Sequence, residues 1–135
     1  MGAWGFSAFE NDDAMDWALE LEKVSDLSRI ETAFSSVEQA DDHLDALAAN
    51  EGFAACEVLA RLLGQSPAEN ADAPWLDEWI SKHPVKPSPS LRVRAIAVID
   101  RILGDGCELR DLFVDDASVA EWQDSVNELR RRLAH

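Results

Sequence analysis

The chain has 135 residues, 27 of them acidic and 12 basic, for a net charge of −15. That length supports one core without disulfide or metal staples, and 47% apolar residues with five tryptophans and five phenylalanines exclude a disordered chain. The charge is lopsided: residues 1–50 carry 12 acids and two bases, whereas residues 83–135 carry nine acids and eight bases. No direct nucleic-acid binding and no membrane association are expected of such a face, and a basic protein partner is favoured. Solvated helix faces explain the same carboxylates without any partner.

Residues 1–9 hold Gly2, Gly5 and three large aromatics, Trp4, Phe6 and Phe9. This composition predicts an extended arm packed on the body. A first helix is expected from about Asp12 to Lys23, capped by Asn11 or Asp12, with Asp12, Asp13 and Asp16 complementing its dipole. Ala14, Trp17, Ala18 and Leu21 repeat at i, i+3, i+4, i+7 and give it one apolar face. Ser28 to Glu31 matches a capping box ahead of the stripe Leu27, Ile30, Phe34 and Val37.

The stretch Glu38 to Ala49 reads as a short helix or an acidic connection, interrupted at Asn50-Glu51-Gly52. Glu51 to Leu63 then predicts a helix with Phe53, Cys56, Leu59 or Ala60, and Leu63 inward and Gly64 as its stop. A loop over 65–73 leads to a helix opened by Pro74, with Trp75, Leu76, Trp79 and Ile80 on its apolar face. Three prolines within 83–90 predict a non-helical crossover inside one domain, not a domain boundary. Leu91 to Leu103 is the most apolar helix and the expected centre of the core, through Val93, Ile96, Ala97, Ile99 and Ile102 or Leu103. A short helix over Glu108 to Phe113 and a last one capped by Ser118, with Val119, Trp122, Val126, Leu129 and Leu133 aligned, complete the chain. The expectation is a single all-α domain of six or seven helices, with no strand or repeat.

The opening Met1-Gly2-x-Trp4-Gly5 and the run Phe9-x-Asn11-Asp12-Asp13-Ala14-x-Asp16-Trp17 resemble the signature of domain-of-unknown-function family 4259. Ala95, Asp100-Arg101-Ile102-Leu103, Glu108 to Phe113, and Trp122 ahead of Leu129 and Leu133 agree with that resemblance. It implies a small, mostly helical bacterial protein with no assigned activity, and it supplies no catalytic residues.

Few residues suggest chemistry. Glu10, Asn11, Asp12, Asp13 and Asp16 cluster oxygen ligands of the kind hard cations take, but without the alternating spacing and glycine of a calcium loop. Asp41, Asp42, His43 and Asp45 mix ligand types at intervals wrong for a zinc pair. Trp75 and Trp79 are one turn apart and serve either the core or a docking ridge. There is no Gly-x-Ser-x-Gly elbow, no phosphate loop and no cysteine motif, since Cys56 lies in an apolar stretch and Cys107 stands far from it. No catalytic residue, cofactor or metal is therefore expected. With no basic-then-apolar leader and no aliphatic run longer than Ala95 to Ile99, the protein is expected to be soluble and cytoplasmic.

The leading expectation is a non-enzymatic protein–protein interaction module, inhibitor- or immunity-like by analogy. Its candidate surface is Trp4, Phe6, Glu10, Asn11, Asp12, Asp13, Asp16, Asp41, Asp42 and Asp45. The alternatives are a metal-dependent or small-molecule enzyme built on Asp12, Asp13 and Asp16, with His43 brought close by folding, and an obligate homo-oligomer.

Overall fold

A computed structural model describes residues 8–9, 11–24, 26–65, 74–83, 85–113 and 115–134. Among them lie seven helices: α1 (Asp12–Leu21), α2 (Ser28–Glu38), α3 (Ala46–Leu62), α4 (Pro74–Lys82), α5 (Pro89–Leu103), α6 (Glu108–Asp111) and α7 (Asp116–Ala134). The fold is all-α. The only sheet-like pairing among the described residues is one isolated parallel bridge, Leu44 with Cys107.

The centre of the fold is α3, not α5. It packs against each of the other helices, and every residue from Gly52 to Arg61 is buried. Small side chains make this approach possible: Ala49, Gly52, Ala54, Ala55, Cys56 and Ala60 are all buried on it. Gly52 does not interrupt the helix. A Cβ there would stand 2.8 Å from the Val37 side chain of α2 and 3.3 Å from that of Val98 on α5. Glycine costs about 1 kcal/mol in a helix interior, and the close packing of two neighbouring helices offsets it.

On α5 the buried stripe is Leu91, Ala95, Val98, Ile99 and Ile102, while Val93 is 66% exposed and Ala97 faces solvent. The stripe is thus rotated from the one expected. Helix α5 also begins earlier, because Pro89 occupies its first turn and Ser88 Oγ accepts from the Leu91 N–H. In the proline-rich crossover His83 and residues 85–88 are non-helical as expected. Two caps differ as well. Ser28 forms no capping box but begins α2 itself, its N–H donating to Asp26 Oδ1, and Asp115 accepts the Ser118 N–H at 2.7 Å at the head of α7.

Of the aromatic arm, Trp4 and Phe6 lie outside the described residues, but Ala8 and Phe9 are buried. Phe9 meets Trp75 edge-on, ring centroids 5.2 Å apart, and Trp79 is buried with its indole N–H donating to the Val24 carbonyl at 3.2 Å. The α4 tryptophans therefore serve the core, holding α4 against the segments that precede and follow α1.

A charged knot lies inside the packing of α3 and α7. Glu57 is 6% exposed, Arg61 5% and Arg132 9%. Arg132 grips Glu57 with both terminal nitrogens at 2.6 and 2.9 Å, and its Nε donates to Glu128 at 2.7 Å. It also donates to the Gln65 carbonyl at 3.0 Å, while Arg61 donates to Glu57 at 2.8 Å. Burial alone lowers the proton affinity of Arg132. The hydrogen bonds and charges of Glu57 and Glu128 outweigh that, so its guanidinium is held above its ordinary value. Arg132 is thus a core residue and not merely a cation at a helix end.

Two substitution pairs test this architecture. Arg132→Met should cost about 3–5 kcal/mol in urea unfolding, because it leaves buried Glu57 short of a partner, whereas exposed Arg131→Met should change stability by under about 0.5 kcal/mol. Gly64 and Gly106 both have positive φ, at 84° and 82°. Gly64→Ala opens into free space and should cost only the left-handed backbone penalty, about 1–2 kcal/mol. Gly106→Ala drives a Cβ into the Asp42 carbonyl oxygen and should cost clearly more. Equal losses would show that the Asp42 approach is not tight.

Candidate functional site

The polar candidates of the N-terminal half, Asn11 and the carboxylates, fall into two sets according to whether the fold already uses them. Asn11 caps α1, its Oδ1 accepting the Ala14 N–H at 2.8 Å, and it is buried. Asp45 does the same for α3, accepting from Ala48 at 2.8 Å. Asp13 accepts from the Asn50 amide at 3.1 Å, tying α1 to α3. These three have structural work.

Asp12 and Asp16 are exposed on the outer face of α1, and their side chains have no hydrogen bond or ion pair among the described residues. The exposed Asp41 and Asp42 side chains are likewise without one, but they stand elsewhere. With Asp100, Arg101, Gly104, Asp105 and Gly106 they line an open cleft of about 420 Å³ between the α2–α3 connection and the α5–α6 turn. The bridge of Leu44 to Cys107 sets this cleft: the Leu44 N–H donates to the Gly106 carbonyl at 2.8 Å and the Glu108 N–H to the Leu44 carbonyl at 2.9 Å. Arg101 spans the two rims, donating to the carbonyls of Asp41 at 3.0 Å and Asp105 at 3.1 Å. Glu10, the remaining candidate, lies outside the described residues, with Trp4 and Phe6.

Sequence reasoning passed over Glu51. It is half-buried on α3, and desolvation pushes its carboxyl above the ordinary glutamate range. Arg29 pulls it back, while the charges of Asp13 and Asp45 push it further up. The fold thus brings Asp13 and Asp45, 32 positions apart in the chain, within electrostatic reach of one carboxyl. Arg29 itself lies over the Trp17 ring, 5.8 Å from its centroid. The only sequence signal was two polar residues, Asn50 and Glu51, ahead of an apolar helix.

His43 stands 4.0 Å from Glu108, and among the described residues no three His, Cys, Asp or Glu side chains converge where a metal ion could sit. Both thiols are buried, and burial raises their proton affinity, so neither is poised as a thiolate. Among the described residues no helix is long and apolar enough to cross a membrane.

The Glu51 environment has a pH signature. Because its folded value is raised, the folded state binds this proton more readily than the unfolded chain, and ionised Glu51 opposes folding. That cost is fully present above the raised folded value and disappears as pH falls below the ordinary glutamate range. Glu51→Gln should therefore melt higher than the parent near pH 7, with the gap closing on acidification. A gap that persists in acid would assign the effect to packing.

No curated protein and no solved structure matches this chain. The family model for a domain of unknown function (DUF4259) matches residues 2–125, from the N-terminal motif to within α7, and the chain belongs to that family.

Proposed function

We propose that the chain is a non-enzymatic binding module, one folded unit, which presents the acidic face of its N-terminal half to a basic protein partner in the cytoplasm. The observation that carries this reading is how the fold uses its cations. Each of the nine arginines is engaged within the chain: by ion pairs at Arg61, Arg94, Arg110, Arg130, Arg131 and Arg132, by backbone carbonyls at Arg92 and Arg101, and by the Trp17 ring at Arg29. Arg94, for example, clamps Glu38 of α2 with two nitrogens at 2.9 and 3.0 Å. In the N-terminal half the exposed acids left without a cation among the described residues include Asp12 and Asp16 on α1 and Asp41 and Asp42 on the connection to α3, whereas both acids of α2, Glu31 and Glu38, face Arg94. A field of one sign on a preformed surface steers an oppositely charged protein toward it and repels nucleic acid and anionic lipid. An inhibitor or immunity-type role fits this physics by analogy.

The test uses defined basic probes, a histone and a cytochrome c, with the full chain immobilised. Saturable binding that weakens by about tenfold or more between low and high salt is expected. Asp12→Asn, Asp16→Asn, Asp41→Asn and Asp42→Asn together should weaken it strongly. Neutralising four exposed acids of the C-terminal third, Asp111, Asp116, Glu121 and Asp124, should have much less effect. Equal loss in the two sets would leave only non-specific charge and would sink the reading.

A further inference from the structure

Resting on that reading, the geometry points to the outer face of α1 as the docking ridge, with Leu19 as its apolar anchor and a short basic amphipathic segment of a partner protein as its occupant. Helix α1 buries Ala14, Trp17, Ala18 and Leu21, and turns Asp12, Asp16 and Glu20 outward. These three are spaced four apart, so they form one row along the helix. Leu19 stands beside that row, 56% exposed. A large aliphatic side chain left in water and rimmed by carboxylates matches an apolar residue flanked by lysine or arginine one turn away. The ridge is preformed, since Asn11 caps the helix and Trp17 is buried beneath Arg29, so docking does not require ordering it.

Charge decides between this ridge and the cleft. In the cleft Asp100 is held by Arg130 at 2.7 Å, Asp105 lies 3.9 Å from Arg110, and Arg101 stands between the rims, so most of its acidity is already compensated. On the ridge Asp12 and Asp16 have no cation among the described residues, and only Glu20 is paired, with Lys23 at 2.7 Å. A second copy of the chain is a poor occupant, because two such ridges face to face would oppose like charges.

The experiment titrates the isotope-labelled full chain with an amphipathic lysine/leucine peptide and with polylysine of the same length, following backbone amide shifts. Shifts along Asp12 to Lys23, tighter binding of the lysine/leucine peptide, and about tenfold weaker binding by Leu19→Ala with unchanged melting are expected. Asp41→Asn with Asp42→Asn should alter affinity less than about twofold. Shifts centred on Asp41, Asp42 and residues 100–106, with Leu19→Ala inert, overturn the ridge and leave the basic-partner reading standing. Equal affinity of the two peptides overturns Leu19 as anchor. Saturable binding of neither peptide overturns the ridge and the basic-partner reading together.

Discussion

The closeness of α3 to its neighbours is the constraint from which the rest of the molecule follows. A helix ringed by other helices has to be thin, and α3 is thin because so many of its buried positions are alanine, glycine or cysteine. Beside Phe53, Val58 and Leu59 of α3 itself, most of the larger side chains that fill the space come from outside it, among them Phe34 and Val37 from α2, Val98 and Ile102 from α5, Leu129 and Leu133 from α7. The bulk of the core is thus supplied by the periphery, and the central element contributes mainly access.

The same centrality explains the buried ions. From Gly52 to Arg61 the helix has no solvent-facing side for its charged residues, so Glu57 and Arg61 must be neutralised inside. Partners come from its own next turn and from α7. Replacing such a network by apolar groups is often neutral or stabilising, so its contribution is better read as specificity, fixing which turn of α7 lies against which turn of α3. The arginines of α5 and α7 act similarly at the surface, joining helix to helix through Glu38 and Asp100. Cation use and the bare acidity of α1 are therefore two sides of one distribution.

What was legible in the sequence was what depends on neighbours within a turn or two. Asn11 and the stripe Ala14, Trp17, Ala18, Leu21 are local signals, and the structure places them as expected. The seven-helix, strand-poor fold follows from the same signals repeated. Gly52 was misread because its reason for being glycine, Val37 and Val98, belongs to other helices. The α5 stripe was misread because an apolar surface on nearly all sides does not reveal which side is covered. Asp12 and Asp13 are adjacent and chemically identical, yet only Asp13 has a donor, from Asn50 on a different helix. Separation in sequence hid the Arg132–Glu57 pair, which joins positions 75 apart.

That separation has a consequence for a chain made from its N-terminus onward. Glu57 lies in the first half of the molecule, and the guanidinium that satisfies both its oxygens is borne by the final turn of α7. The first turn of α3 is in the same position, since the Ala46 N–H is received by Glu108, 62 residues downstream, at 2.7 Å. The innermost helix therefore waits for α6 and α7 to have its polar groups satisfied, and a nascent chain carries its future centre in an incomplete state until α7 has emerged. Long-range pairing of this kind slows the search for the native contacts. It also ties completion of the centre to the arrival of α7, so a chain that lacks α7 leaves the Glu57 carboxylate without the guanidinium that meets both its oxygens.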